Sequence, residues 1–411
     1  MPMLFFTRKI ISPSRLALFA LAVNTGLALS FVGLWLVAAR QGLFWRADFS
    51  AYYTGWKMVI VGTGNQLYDF DLQSRYQQEI LQSRSFADGL LPFDYPPHMA
   101  WLFAPLAWLP LSVAYGIWSL GQLALLAWFL WLLSRLTTHW EKRERRLMLV
   151  SVVAFAPLFY TILLGTFGLM LAVWILQFYI AIKDDRQCAS GLWLSLASIK
   201  PQSIILLGIF LVAARRWRAI LSVAVVGIFF FSVTGLMFGW NIWVDFARVI
   251  REVAQLSGEY GIYPKEMYNF RGVLASVLGD DAAEIVSAIS LAAFLITILG
   301  VLWLWKTSWQ KQTDLKFALT ICLGLLFNLH LNPQDSLLLV IPAVLFYDTL
   351  RQRGLPRQQY AAFALSIPLV FILSEFSIRG SLIIRVPIIL LTILTIWIAK
   401  TLWDERNYDQ S

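Results

Sequence analysis

Long runs of apolar residues recur along almost the whole chain, and they set the first expectation about its fold. A helix needs ~20 mostly apolar residues to cross the hydrocarbon core of a bilayer. Runs of this kind cover residues 16–39, 111–134, 147–164, 166–183, 219–238, 282–305, 360–375 and 381–403. The pattern predicts an all-α, polytopic membrane protein whose residues 1–411 form a single integral membrane domain.

Two further apolar stretches, residues 188–213 and 317–348, are interrupted at Pro201 and Pro333. Each is long enough for a bent hairpin of two short helices, which brings the predicted total to about twelve transmembrane helices. The basic residues agree with that number, because with the N-terminus inside every short basic loop then falls on the cytoplasmic face. Those loops hold Arg8, Lys9, Arg15, Arg135, residues 142–146, Lys183, Arg186, Arg215, Arg216, Arg218, Lys306, Lys311, Lys316, Arg351, Arg353, Arg357, Lys400 and Arg406.

Composition narrows the class of protein further. Hydrophobic residues make up 59% of the chain and charged residues only 14%, so lipid must be its main solvent. The net charge of +9 follows from the basic loops, and no basic stretch is interleaved with stacking aromatic residues, which argues against nucleic acid as a partner. The two cysteines indicate neither a disulfide nor a zinc site. We expect a multi-pass protein of the cytoplasmic membrane, surrounded by membrane lipid.

The longest polar interval covers residues 40–110, and the predicted topology places it on the outer, non-cytoplasmic face. It contains six acidic residues among many aromatic ones. Residues 49–61 and 71–81 have helical composition, and Gly62, Gly64 and Asn65 mark a turn between them, which predicts two interfacial helices along the membrane. A second outer loop, residues 239–281, is placed to cover the first.

Asp48 lies just beyond the first predicted span, next to Arg46 in sequence. A carboxylate at the outer membrane surface is suited to general-base work on a hydroxyl group. Two structural alternatives stay open from the residues alone. One is an interfacial salt bridge, and the other is an N-cap of the following helix, a position that aspartate favours.

Lys200 lies inside an apolar run, where a cation costs ~3 kcal/mol on insertion scales and usually faces a cavity or a partner. Pro201 breaks the helix beside it, and the freed backbone groups are tolerated only against protein or a water-filled cavity. We therefore expect an anion site, because lysine binds phosphate as a compact point charge. The alternative is a structural ion pair with a carboxylate on a neighbouring helix.

Several polar residues flank the second proline break, Pro333, at the outer end of a short predicted span. The residues that can converge there on one pocket are Asn328, His330, Asn332 and Asp335. Arg271, just after Asn269 in the second outer loop, can contact a head group or shape a turn. A metal site built from His98, His330 and carboxylates is specified by no spacing, so no metal is predicted.

Three segments of the first loop, in order, resemble the start of glycosyltransferase family 87: residues 47–53 (Ala-Asp-Phe-Ser-Ala-Tyr-Tyr), residues 64–69 (Gly-Asn-Gln-Leu-Tyr-Asp) and residues 94–97 (Asp-Tyr-Pro-Pro). Further on, residues 105–110 resemble the family's proline-bounded segment. Lys200 with Pro201, followed by residues 215–217, resembles its lysine-proline helix and basic turn. The family comprises polyprenyl-phosphate-sugar-dependent transferases of the GT-C fold, including mycobacterial enzymes that add mannose to phosphatidylinositol mannosides.

The resemblance implies a GT-C-like hexosyltransferase that takes a sugar from a polyprenyl-phosphate donor, needs no cofactor and serves a lipid or glycan acceptor. It implies that Asp48 is the catalytic base and that Lys200 and His330 lie near the donor phosphate, with Arg271 as a further phosphate contact. Other residues expected in the pocket are Arg46, Tyr52, Tyr95, Asn269, Asn332 and Asp335. The chain departs from the family pattern at Gly165 and Thr166, where the family has Gly-Gln, and at residues 332–335.

Two other classes of protein remain open at this point. A lipid or solute transporter also has use for a buried lysine and proline-broken helices. A ligase or polymerase of cell-envelope glycans shares many helices and an outer loop with cationic residues, but it would transfer a whole glycan rather than one sugar. The position of Asp48 at the surface favours an enzyme.

Overall fold

The computed structural model describes residues 13–46, 48–82, 84–86, 89–255, 263–306, 312–354, 360–361, 364, 368–369, 372 and 386–410. All regular structure in these residues is helical, as predicted. The helices are α1 (Pro13–Arg40), α2 (Phe49–Ile60), α3 (Phe70–Leu81), α4 (His98–Phe103), α5 (Leu111–Leu136), α6 (Lys142–Val153), α7 (Ala156–Leu164), α8 (Gly168–Lys183), α9 (Gln187–Leu196), α10 (Pro201–Ala213), α11 (Trp217–Phe238), α12 (Ile242–Gln255), α13 (Phe270–Leu278), α14 (Ala283–Lys306), α15 (Thr313–Leu326), α16 (Val340–Gln352) and α17 (Val386–Gln410).

Five helical segments of the described chain are long and apolar enough to cross a membrane. They are Arg15–Arg40, Leu111–Leu136, Trp217–Phe238, Asp280–Lys306 and Val386–Asp404. The pair Lys142–Val153 and Ala156–Leu164, bent by 45°, adds a sixth if it is counted as one span. The chain is therefore a polytopic membrane protein. The total of about twelve transmembrane helices stays a prediction, because α8 and α10 are apolar but shorter than a full membrane span. The predicted span 360–375 lies mostly outside the described residues.

Apolar side chains point outward along these spans, as a bilayer requires. Leu236 of α11 is 78% exposed, and Leu29 of α1 and Ile296 of α14 are each more than half exposed. A water-soluble protein rarely presents apolar surface this extensive. Lipid is the solvent that makes this surface favourable, which agrees with the composition of the chain.

The two predicted proline breaks are both present. Helix α9 ends before a short 3-10 turn, Ala197–Ile199, and α10 restarts with Pro201 at its first position. Helices α15 and α16 are separated by an irregular segment and by the 3-10 helix Pro333–Leu339. Proline starts a helix well because it has no backbone N–H to leave unpaired in the first turn. The polar residues flanking both prolines thereby lie at helix ends, where Lys200, Gln334 and Asp335 are buried.

The basic turns between helices meet at one end of the molecule. Arg216 forms an ion pair with Asp185, which joins the turns after α8 and α10. The entry to α9 and the exit from α10 therefore lie on the same side, as the predicted hairpin requires. Further links at this end are Lys183 to Asp314 (3.0 Å), His139 to Asp348 (2.6 Å) and Arg351 to Glu144 (3.0 Å). The predicted basic residues Arg8, Lys9, Lys311 and Arg357 lie outside the described residues.

The described residues of the loop 40–110 pack around a hydrophobic core that they share with α5, Phe167 and α12. Helices α2 and α3 occur where they are predicted, and Gly62, Gly64 and Asn65 lie between them. Phe49 and Trp56 of α2 are fully buried against the span α5 and against Phe167. Gln73 and Gln77 bond through their side-chain amides to the backbone of the following segment at Phe93 and Leu91.

The loop of residues 239–281 packs against the loop of residues 40–110. The ring of Phe246 in α12 packs against that of Tyr68 in a tilted arrangement, with centroids 5.6 Å apart, and Val249 and Val253 are buried in the same core. Residues 256–262 of this loop lie outside the described part of the chain. The packing places α12 and α13 over the surface on which the candidate site is built.

Substituting Gly191 with alanine is expected to destabilise the crossing of α9 and α11. A Cβ atom at this position would lie 2.2 Å from the backbone oxygen of Ala219, so the two helices must move apart. Overpacking of this kind costs roughly 1–3 kcal/mol. The apparent melting temperature in detergent measures the effect. The matched control is Gly208→Ala in α10, where a Cβ atom meets nothing within 4 Å, and an equal melting temperature for both variants would contradict the close packing.

Candidate active site

Asp48 occupies the N-cap position of α2, but its side chain makes no capping hydrogen bond. Its Oδ2 atom instead accepts a hydrogen bond of 3.2 Å from the Nε2 atom of Gln334, a residue 286 positions further along the chain. The capping alternative is therefore wrong. The side chain of Arg46 lies outside the described residues, so its predicted place in the pocket and its salt bridge to Asp48 stay predictions.

Lys200 and Asp335 form an ion pair between the two proline breaks. The side chains are only 4% and 2% exposed. The Oδ1 atom of Asp335 accepts the bond from Lys200, and its Oδ2 atom accepts a bond of 3.1 Å from the backbone N–H of Asn332. The structural alternative for Lys200 is thus present in the fold, and the predicted pocket residue Asp335 is its partner.

Gln334 and Asp335 connect the two halves of the site. They are consecutive residues of the 3-10 helix Pro333–Leu339, and both are buried. Gln334 contacts Asp48, and Asp335 contacts Lys200. Asp48 and Lys200 are therefore held by two residues that are adjacent in the chain. The charge of Lys200 also acts on Asp48 directly.

Tyr52, Tyr95 and Asp94 form a second wall of the same site. The hydroxyl groups of Tyr52 and Tyr95 are 2.9 Å apart, and the hydroxyl of Tyr68 donates a hydrogen bond of 2.6 Å to the backbone oxygen of Tyr95. The charge of Lys200 acts on both Asp94 and Tyr95. The structure thus places Tyr52 and Tyr95 near Asp48, and their role in the pocket stays a prediction.

The carboxyl groups of Asp48 and Asp94 both have unusually high pKa values. Burial raises the pKa of Asp48 to about 6, and the nearby charges of Asp335 and Asp94 add to the rise, while Lys200 and the bond from Gln334 oppose it. Burial likewise raises the pKa of Asp94 to about 6 against the opposing effect of Lys200. A carboxylate with such a pKa accepts a proton more readily than an exposed one and is still ionised at neutral pH, which suits a general base.

Residues of the loop 239–281 also lie close to the site. Asn269 caps α13 through its side-chain oxygen and donates a bond of 2.8 Å to the backbone oxygen of Asn328. Arg271 donates a bond of 2.7 Å to the backbone oxygen of Leu329. The charges of Lys200, Asp335 and Arg271 all act on His330. The predicted phosphate-binding residues therefore lie in one neighbourhood.

His98 is buried elsewhere in the fold. Its ring stacks on Phe230 of α11 with centroids 4.7 Å apart. In the described part of the chain, no group of three or more His, Cys, Asp or Glu side chains that could hold a metal ion is found.

Asp94 and Gln334 belong to the site but were not among the predicted site residues. Asp94 begins the Asp-Tyr-Pro-Pro segment, whose proline pair was a visible sign of a fixed turn next to Tyr95. Gln334 lies between two predicted site residues, Asn332 and Asp335. No spacing in a single sequence indicates that its amide meets a carboxylate from the first loop.

Comparison with known proteins identifies the family of the chain. The pattern that defines Glycosyltransferase family 87 matches residues 93–333, more than half of the chain. This range includes Asp94, Lys200, Arg271 and His330, whereas Asp48 precedes it.

A curated relative with sequence similarity is the polyprenol-phosphate-mannose-dependent alpha-(1-2)-phosphatidylinositol pentamannoside mannosyltransferase of Mycolicibacterium smegmatis (strain ATCC 700084 / mc(2)155). It is 29% identical over 251 residues, which cover 60% of this chain and 58% of the relative. The chain therefore matches little more than half the length of that relative. No solved structure matches the chain. The match of the family pattern to more than half of the chain shows that the chain belongs to glycosyltransferase family 87.

Proposed function

We propose that the protein transfers a hexose, with mannose as the first choice, from a polyprenyl-phosphate sugar to a hydroxyl group of a lipid or glycan acceptor. The observation that carries the proposal is the partly buried carboxylate of Asp48, whose pKa is about 6, close to the buried cation Lys200. A base for the acceptor and a cation for the leaving phosphate are the two groups that such a displacement needs. The relative from Mycolicibacterium smegmatis supports the choice of donor, since its name specifies polyprenol-phosphate-mannose dependence.

Asp48 removes the proton of the acceptor hydroxyl as its oxygen attacks the anomeric carbon. The new carbon–oxygen bond forms while the bond from the anomeric carbon to the phosphate oxygen breaks, so the configuration at this carbon is inverted. The electron pair of the broken bond leaves with polyprenyl phosphate. The proton taken up by Asp48 then passes to water. This sequence requires no metal ion and no reactant besides the donor and the acceptor.

Lys200, Arg271 and His330 are the residues proposed to hold the donor phosphate. An ammonium group has three N–H bonds, and within the described residues one of those of Lys200 is engaged, by Asp335. The remaining two can donate to phosphate oxygens. Asp335 fixes the position of the cation in advance, so less conformational freedom is lost when the donor binds. Tyr52, Tyr95, Asn269 and Asn332 then shape the sugar pocket.

The site is proposed to face outward from the cytoplasmic membrane. Helix α8 runs between the two ends of the molecule. It begins at Gly168, next to Phe167, whose ring packs on those of Tyr52 and Tyr95. It ends at Lys183, among the basic turns. Positively charged turns mark the cytoplasmic side. The opposite end, with Asp48, then faces the periplasm or the cell exterior.

A transfer assay tests the proposed function. Purified protein is incubated with a membrane lipid extract and with polyprenyl phosphate carrying either radiolabelled mannose or radiolabelled glucose. The radiolabelled sugar is expected to move from polyprenyl phosphate to an acceptor in the extract, and mannose is expected to be transferred faster than glucose. If no sugar is transferred and labelled lipid instead crosses proteoliposomes in a Lys200-dependent way, the protein is a transporter. Transfer of preassembled glycan chains alone would identify a ligase or polymerase.

The transfer rate is expected to depend on pH through the base. Below the pKa of about 6 Asp48 binds a proton and cannot accept another, so kcat/KM should fall as the pH decreases through this value and reach a plateau above it. Asp94 raises the pKa of Asp48 by its negative charge, so Asp94→Asn should move the acid limb to lower pH. Rates measured across the pH range in both proteins test this. An acid limb that stays in place in Asp94→Asn would contradict the coupling.

A further inference from the structure

Asp94 is a charged residue of the candidate active site that has no assigned contact with either substrate. Its side chain is partly exposed, whereas those of Lys200 and Asp335 are buried. In the part of the chain that the structure describes, no hydrogen-bond donor meets its carboxylate apart from its own backbone N–H, and no ion pair includes it. A carboxylate has about four lone-pair sites, so Asp94 can accept further hydrogen bonds from a ligand.

The backbone on either side of Asp94 is held in place by side chains of the same loop. Gln73 bonds to both polar backbone groups of Phe93: its Oε1 atom accepts from the N–H at 2.7 Å, and its Nε2 atom donates to the oxygen at 3.3 Å. On the other side, the hydroxyl of Tyr68 donates to the backbone oxygen of Tyr95. Two prolines follow directly, and each fixes one backbone torsion. Because the segment is anchored, little conformational freedom is lost when Asp94 binds a ligand.

The same segment fixes Asp94 relative to the base and the cation. Phe93 is fully buried against α2, and it lies so close that a Cβ atom on Gly55 would be 2.6 Å from a carbon of its ring. Asp48 is the N-cap residue of this helix. The charge of Asp94 acts on Asp48, and the charge of Lys200 acts on both carboxylates. The three charged groups therefore lie in one neighbourhood.

The surroundings of Asp94 favour a neutral ligand with hydroxyl groups. An anionic group is repelled by Asp94 and Asp48, so it is expected at Lys200 and not at Asp94. A hydroxyl group donates a hydrogen bond without adding charge, and a bond to an ionised acceptor is roughly twice as strong as one between neutral groups. The partly exposed ring of Tyr95 follows in the chain and is backed by Phe167, with centroids 5.4 Å apart. A carboxylate beside an aromatic ring suits a sugar, which has hydroxyl groups at its edge and C–H groups on its faces.

We propose that Asp94 binds hydroxyl groups of the donor hexose and so contributes to the choice of sugar. The assignment rests on the proposed function. With the donor phosphate on Lys200 and the acceptor hydroxyl on Asp48, the anomeric carbon lies between these two groups, and the rest of the hexose ring extends from it. Asp94 accepts hydrogen bonds from ring hydroxyls, which holds the ring in the orientation that the attack requires. A sugar that lacks such a hydroxyl leaves the carboxylate unpaired and is therefore a poorer substrate.

Donors that lack one hydroxyl group test this contact. Polyprenyl phosphate carrying mannose, or its 2-, 3-, 4- or 6-deoxy analogue, is given to the wild type, to Asp94→Ala and to Asp94→Asn, which keeps the shape of the side chain. The control is Asp71→Asn in the same loop. Rates are taken on the pH plateau, where Asp48 is ionised in every protein. Asp94→Ala should lower kcat/KM for mannose roughly tenfold to a hundredfold, the usual effect of losing a hydrogen bond to a charged group, whereas Asp71→Asn should not.

The decisive comparison combines the change in the donor with the change in the protein. At least one deoxy donor should lose much less from Asp94→Ala than mannose does, because the hydroxyl that Asp94 binds is already missing from it. Asp94→Asn should show the same pattern with a smaller loss. If every deoxy donor loses the same factor as mannose in both variants, Asp94 binds no sugar hydroxyl. That result would overturn the assignment and leave the proposed function intact.

Binding of the donor separates this assignment from the proposed function. Retention of radiolabelled polyprenyl phosphate, with and without mannose, is measured with the purified protein in neutral detergent. Asp94→Ala should weaken retention of the mannosyl lipid roughly tenfold. It should not weaken retention of polyprenyl phosphate alone, since the substitution removes a negative charge. An equal loss for both lipids would overturn the sugar contact. A wild-type protein that retains the mannosyl lipid in this Asp94-dependent way but transfers no sugar would overturn the proposed function and leave the sugar contact intact.

Discussion

Asp48→Asn is expected to lower kcat for sugar transfer by roughly 10²–10⁴, the usual contribution of a general base. Asparagine has the same shape as aspartate, and its side-chain oxygen can still accept the hydrogen bond from Gln334. Its amide cannot take up the proton of the acceptor hydroxyl. The site is thus preserved while proton transfer is removed, so KM for the donor should change little. Initial rates at saturating donor, measured well above the pKa of about 6, give the effect.

The matched control is Asp71→Asn, which removes an exposed carboxylate from the first turn of α3 in the same loop. It should transfer sugar at the wild-type rate. Both variants should elute as the wild type does in size-exclusion chromatography. An Asp48→Asn protein with wild-type kcat would exclude Asp48 as the base and leave Asp94 as the carboxylate to test next.

Lys200→Met is expected to destabilise the fold by roughly 3–5 kcal/mol, because it leaves the buried carboxylate of Asp335 without its cation. The double variant Lys200→Met/Asp335→Asn removes both charges. The asparagine oxygen can still accept the bond from the backbone N–H of Asn332, so this turn keeps its local hydrogen bond. Most of the lost stability should therefore return. Apparent melting temperatures in detergent measure both changes.

The double variant also separates the two roles of Lys200. If Lys200 holds the donor phosphate, the double variant should still transfer sugar poorly although its stability is restored, and its KM for the donor should be raised. If the ion pair is structural alone, restoring stability should restore activity as well. Recovery of wild-type transfer in the double variant would therefore end the phosphate assignment.

Most of the helical framework could be predicted from the sequence, for a simple physical reason. A membrane span is specified by a local property, its run of apolar residues, and a proline break is specified by one residue. Lys200 and Asn332 were recognisable as site residues because each precedes such a break. The predicted turn at Gly62, Gly64 and Asn65 likewise needed only local information.

The contacts across the site could not be predicted, because they join residues far apart in the chain. Lys200 and Asp335 are 135 positions apart, and Asp48 and Gln334 are 286 apart. Which carboxylate meets which partner depends on how the helices pack, and no periodicity encodes that. The same limit applies to Asp94, which the sequence marks only as the first residue of the Asp-Tyr-Pro-Pro segment. Its high pKa arises from burial, which becomes visible once the loop is folded.

The adjacency of Gln334 and Asp335 has a consequence for motion. Helices in a bilayer tilt and slide as its thickness changes, and residues on separate helices then shift relative to one another. Here the proposed base Asp48 and the proposed phosphate-binding cation Lys200 both contact neighbouring residues of one short 3-10 helix. A displacement of that helix carries both groups along together, so their separation is kept while the surrounding spans adjust.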